Sequence, residues 1–85
     1  MNALELINIG AKELKQKQIV SSRLDSEILL SKILNKKREE VLTSLDQKIS
    51  KKIFLKYKNF IQRRSQSEPI AYILQEKEFL TRILV

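Results

Sequence analysis

Apolar residues recur along this chain at steps of three and four, and short polar breaks divide the pattern into segments that each read as one amphipathic helix. Leu4, Ile7, Ala11 and Leu14 form the first stripe, with Lys12, Lys15 and Lys17 turned to water. Asn2 followed by Glu5 has the form of a capping box, so this helix is predicted to start at Ala3. Gly10, the only glycine, either costs about 1 kcal/mol against alanine or marks close packing with a neighbour. Ser21 and Ser22 break the stripe. Ser22 as cap, with Asp25 as a first-turn charge favourable to the dipole, predicts a second helix from Arg23 to Leu34. Leu24, Ile28, Leu29, Ile33 and Leu34 give it a broad apolar face, and Asn35 suits the left-handed position that ends a helix.

A short helix is expected over Arg38 to Leu45 on the strength of Val41, Leu42 and Leu45. The next runs from about Lys51 to Ser65, capped by Ser50, with Ser44 and Gln47 as a competing start. Its apolar stripe is Ile53, Phe54, Tyr57, Phe60 and Ile61, and Lys52, Lys56, Asn59 and Arg63 line the opposite side as a basic ridge. The residue before a proline is biased away from the α region, so Glu68-Pro69 ends that helix, and Ile70 to Leu74 starts a short one at a new angle. Phe79 to Val85 is apolar, rich in β-branched residues and uncapped, and reads as a strand or extended tail. The expected fold is all-α, a bundle of four or five helices over residues 1–75. Its core is expected to centre on Leu14, Leu24, Ile28, Leu29, Ile53, Tyr57, Phe60 and Tyr72. Residues 76–85 begin a connection, and since a lone strand of this kind is unstable in water, the chain reads as part of a longer protein.

Eighty-five residues build one small domain that buries only roughly 60% of its unfolded surface. With neither cysteine nor histidine there is no disulfide, no thiolate metal site and no imidazole base. No apolar run is long enough to cross a bilayer and no leader pattern opens the chain, so a soluble, cytoplasmic protein is expected. A formal charge of +7 suggests an anionic partner or a well-solvated exterior. One glycine cannot build the loop that dinucleotide and adenosine sites generally require, so no nucleotide cofactor is expected on this chain. Catalytic candidates are thin: Asp25 with Glu27 reads as helix N-terminal charge, and Glu76 with Glu78 as solvated surface.

The run Arg63 to Phe79, RRSQSEPIAYILQEKEF, sets paired arginines before Pro69, then Ala71, Tyr72, Ile73 and Leu74, then Glu78 and Phe79. Together with Asp25-Ser26-Glu27-Ile28-Leu29-Leu30, it resembles the N-terminal helical domain of the peptide chain release factor N5-glutamine methyltransferases, the PrmC/HemK family. Ser26 stands where alanine is usual, Asn35 and Gln75 where glycine is, and Leu80 where an aromatic residue is. The resemblance implies that the longer protein transfers methyl from S-adenosylmethionine to the glutamine of the Gly-Gly-Gln motif in class-I release factors. The catalytic Asn-Pro-Pro-Tyr motif of that family does not occur in this sequence. The implied role of the chain is therefore recognition, without catalysis or cofactor of its own. Its implied partners are the release factor and a methyltransferase domain reached through a hairpin. Lys52, Lys56, Arg63 and Arg64 are the candidate partner-binding residues by charge, with a structural role open for Arg64 at the Glu68 loop or a helix end. Two other classes stay open: a small basic RNA-binding module, weakened by the lack of stacking aromatics on the ridge, and a purely structural or oligomerising bundle.

Overall fold

A computed structural model describes residues 1–75 of the chain, which fold as helices. These are α1 (Ala3–Gln16), α2 (Ser22–Ile33), α3 (Arg38–Leu42) and α4 (Lys51–Ser65), followed by a short fifth helix, α5, over 70–75. The expected all-α class is what forms. Among the described residues there is no strand, only an isolated antiparallel bridge between Asn2 and Lys48. The tail expected from Phe79 onward lies outside the described residues.

The helix ends explain themselves residue by residue. The first backbone donors of α1 are all satisfied: Ala3 N–H donates to the Gln47 carbonyl and Leu4 N–H to the Leu45 carbonyl, each at 3.0 Å, and Glu5 N–H to Asn2 Oδ1 at 2.9 Å. The 45–49 segment therefore closes the start of α1 as well as leading into α4. Ser50 caps α4 as expected, accepting from Ile53 N–H at 3.2 Å. Three helices end on left-handed residues that are not glycine: Gln18 (φ 63°), Asn35 (φ 57°) and Ser67 (φ 68°). Each sits in a Schellman arrangement, shown by the paired bonds Ile19 N–H to Leu14 O, Lys36 N–H to Ser31 O, and Glu68 N–H to Arg63 O.

Three expectations for the core are corrected. Leu24 is 42% exposed and Tyr72 66% exposed, and Leu4 also lies outside. In α1 the buried stripe is Ala3, Leu6, Ile7, Gly10 and Leu14, so the helix is rotated from the face centred on Leu4. In α2 the inward positions include Asp25, Ser26, Leu29 and Leu30, because polar side chains with partners take sites that an apolar count assigns to Leu24. In α5 the inward set is Ile70, Ile73 and Leu74, spaced one helical turn apart, which puts Tyr72 on the other side. Helix α3 stops at Leu42, and Leu45 packs on the core from the following loop. Helix α2 starts one residue earlier than expected, with Ser21 as its N-cap. Leu14, Leu29, Tyr57 and Phe60 are buried as expected, Ile53 packs against the core half-buried, and Ile28, also expected in the core, is only half-buried.

Gly10 marks the tightest approach in the bundle. A Cβ there would collide with the Tyr57 hydroxyl and fall 2.7 Å from Ser26 Oγ and 2.8 Å from Ile61 Cδ1. Gly10→Ala gains helix propensity of about 1 kcal/mol but overpacks this junction, so a net loss of roughly 2 kcal/mol is expected. Tyr57→Phe removes the hydroxyl that a new Cβ would strike and should recover part of that loss. Urea unfolding of both single variants and the double variant measures the coupling. Strictly additive losses would mean that the two residues do not constrain each other.

Candidate functional site

The segment Asp25-Ser26-Glu27 places three consecutive polar side chains in buried positions, and each is held from a different direction. Asp25 Oδ2 accepts from Arg64 Nε of α4 and from the Ser21 hydroxyl, both at 2.9 Å. Ser26 Oγ donates to the Ile7 carbonyl of α1 at 2.8 Å and shares a hydrogen bond with the Tyr57 hydroxyl of α4. Glu27 pairs with Arg23 at 3.3 Å and with Arg38 of α3 at 3.4 Å. Arg23 also donates to Asn8 of α1 at 3.0 Å. Asp25 and Glu27, read from sequence as charges at a helix start, are thus cross-links from α2 to the other helices. Burial pushes the Tyr57 phenol well above its usual pKa, and Glu13 and Glu27 add to that while the Ser26 hydrogen bond opposes it. This hydroxyl is locked, neutral and inaccessible, which suits a packing role and no acid–base chemistry.

The end of α4 is tied down in the same manner. Arg63 donates from Nε to Glu68 Oε2 at 2.7 Å and from Nη2 to Glu68 Oε1 at 2.6 Å, a bidentate pair. Arg64, besides holding Asp25, donates from Nη1 to the Glu68 carbonyl at 3.1 Å. The two arginines therefore fix the turn before Pro69, and with it the direction in which the chain enters α5. The hydrogen bonds from Arg63 hold the Glu68 carboxyl below its ordinary range, and Glu68 in turn raises the Arg63 guanidinium. Of the four cations proposed from sequence, Lys52 and Lys56 stand fully on the outside of α4, whereas Arg63 and Arg64 are engaged within the fold.

Two surface features were not singled out from sequence. Leu55 is 57% exposed on the outer side of α4, one turn beyond Lys51 and Lys52. Its signal was present as a leucine interrupting a polar stripe. An open hollow near the end of α2 is lined by Lys32, Asn35, Lys36, Lys37 and Glu40, residues brought together by the turn at Asn35. Among the described residues no three carboxylates converge as a metal site would need, and no helix is long and apolar enough to cross a membrane.

Residues 5–74 match the family described as the PrmC N-terminal domain, and the chain belongs to that family. A release factor glutamine methyltransferase of Leptospira interrogans is 35% identical over 80 residues, covering 94% of this chain and 28% of that protein. One from Buchnera aphidicola subsp. Schizaphis graminum is 46% identical over 57 residues, or 67% of this chain and 21% of the relative. A bifunctional methyltransferase of Rickettsia felis is 33% identical over 78 residues, or 92% of this chain and 15% of the relative. The chain spans less than a third of the length of these proteins. No solved structure matches it.

Removing one member of a buried ion pair strands the other, so Arg64→Leu is expected to cost about 3 kcal/mol in chemical unfolding, with much of it returned by adding Asp25→Asn. The Arg63–Glu68 pair has a different signature. Because the folded Glu68 carboxyl sits below its ordinary pKa, the pair contributes stability above the usual glutamate range and loses it as pH falls through the lowered folded value. Both side chains stay partly exposed, so the effect is small and salt-screened. The melting temperature of Glu68→Gln should lie below that of the unchanged chain at neutral pH and converge with it in acid. A gap that persists unchanged into acid would exclude the ion pair as its source.

Proposed function

We propose that this chain is the substrate-recognition domain of a protein-(glutamine-N5) methyltransferase acting on the Gly-Gly-Gln glutamine of class-I peptide chain release factors. The observation that carries this reading is the match of residues 5–74 to the PrmC N-terminal domain, together with relatives named release factor glutamine methyltransferase. Methyl transfer is assigned to a separate domain of the longer protein. The buried polar groups of this bundle are consumed in holding helices together, and a recognition role asks for a rigid surface and not for a reactive group. S-adenosylmethionine is likewise assigned to that other domain. The hollow at the end of α2 does not fit it, since three lysines repel a sulfonium cation and only Glu40 offsets them.

Separating recognition from chemistry is physically reasonable for an amide nitrogen, a poor nucleophile. Binding energy gathered far from the reacting atom can position it for attack. In this reading the protein works in the cytoplasm, where translation terminates, and docks its substrate through cations on α4. Lys52 and Lys56 are the contact residues, while Arg63 and Arg64 support the adjoining turn and present their remaining exposed edges. RNA is the weaker partner because Tyr57 and Phe60 of α4 are buried and cannot stack on bases, and the exposed Tyr72 stands on α5, outside the basic ridge of α4.

The test is kcat/KM of the longer enzyme with and without residues 1–75, using a whole release factor and then a short Gly-Gly-Gln peptide. A recognition domain predicts a large loss on the whole factor and little on the peptide. Equal losses on both substrates would reduce the domain to a stabiliser of its neighbour.

A further inference from the structure

Helix α4 contains six of the chain's 17 cations and none of its 10 acids, so it accounts for most of the net charge of +7. Half of those cations are used internally. Lys58 pairs with Glu13 of α1 at 3.2 Å, Arg64 with Asp25 of α2 at 2.9 Å, and Arg63 with Glu68 at 2.6 Å. Acids from three other parts of the chain thus neutralise one side and the C-terminal end of the helix. Lys51, Lys52 and Lys56 pair with no acid among the described residues, and all three are exposed. Within this uncompensated cluster stands Leu55, four residues after Lys51, three after Lys52 and next to Lys56, with 57% of its surface in water. A lone exposed leucine is ordinary, but an apolar side chain ringed by unpaired charges of one sign has the make-up of an interface anchor with its rim.

We propose that Lys51, Lys52, Leu55 and Lys56 form the docking face of this domain, fitted to an acidic protein surface that offers an apolar socket for Leu55. The inference rests on the reading above, which makes that surface part of the release factor. Charge complementarity selects an acidic partner, and Leu55 selects protein over RNA. Phosphate contacts would use the lysines and leave the leucine idle, and this face exposes no aromatic ring on which a base could stack. The face also lies on the side of α4 away from Tyr57, Phe60 and Ile61, so it can be engaged without disturbing the core.

The experiment measures association of the purified chain with a class-I release factor, and separately with a single-stranded RNA, across a salt series. Leu55→Ala should weaken release-factor binding roughly 5- to 30-fold, mainly through faster dissociation and with its salt dependence unchanged. The pair Lys52→Glu and Lys56→Glu should slow association and flatten the salt dependence. The pair Lys12→Glu and Lys15→Glu, which removes the same charge from the exposed side of α1, should change Kd by no more than about twofold. All of these side chains are exposed, so melting temperatures should stay within a few degrees of the unchanged chain. If the unchanged chain binds release factor and neither α4 variant weakens it, the docking face is wrong and recognition stands on another surface. Binding to RNA alone, sensitive to the lysines and indifferent to Leu55, would overturn both the face and the recognition reading. Failure to bind either partner would do the same.

Discussion

Ser26 and Tyr57 share a hydrogen bond in the space that a side chain at position 10 would occupy, and three helices meet at that point. The geometry leaves little freedom. The Ser26 hydroxyl has one proton, which it gives to the Ile7 carbonyl of α1, so it receives the proton of Tyr57 from α4. Each helix therefore supplies something the others cannot: α1 an absent Cβ and a carbonyl, α2 a short hydroxyl, α4 a phenol long enough to reach it. Burial then keeps the phenol neutral, which removes the alternative of an ionised tyrosine in the core.

From this junction the polar residues on either side of Ser26 take their directions. Asp25 faces the end of α4 and Glu27 faces Arg23 and α3, so one turn of α2 meets its neighbours on both flanks. Net stabilisation from such buried pairs is modest, because desolvation offsets most of the attraction. Their larger effect is on alternatives. A rotation or slip of α2 by one residue would bury a carboxylate without its arginine, at a cost of roughly 3 to 5 kcal/mol. In a domain this small, where total stability is on the order of 5 to 10 kcal/mol, that penalty excludes the misregistered bundle.

Three helix boundaries were legible because they depend on local chemistry, although α3 ends before the expected Leu45 and α2 is capped by Ser21 in place of Ser22. Ser50, Asn35 and the Glu68-Pro69 step act within a few residues of themselves, and the fold places them where their side chains and φ values require. The orientation of each helix was harder to read. Leu24 and Tyr72 fell outside the core because period counting treats every apolar residue as inward and every charged one as outward, while Asp25 and Ser26 are inward and satisfied. The α4 partners of Asp25 and Ser26 lie 39 and 31 residues away, so no local window could have revealed them. The same distance explains the arginines. A basic ridge on a helical wheel does not distinguish a lysine in water from an arginine whose acid arrives from another element.

That distinction organises the outer surface. Arg63 and Arg64 spend their charge on Glu68 and Asp25, fixing the turn that precedes Pro69 and the heading of α5, whose Ile73 is fully buried. Lys51, Lys52 and Lys56 spend theirs on nothing in the described bundle. One helix thus carries a structural end and a solvent-facing end, about thirteen residues apart from Lys51 to Arg64 at ~1.5 Å each, or roughly 20 Å. The proposed docking face at the start of α4 and the fixed turn before Pro69 at its finish are joined by a single rigid rod, packed along its length by Tyr57, Phe60 and Ile61. A partner held at one end is then held at a set distance and angle from α5. For a domain whose proposed task is to present one glutamine to a reactive centre elsewhere in the protein, that rigidity converts binding into orientation.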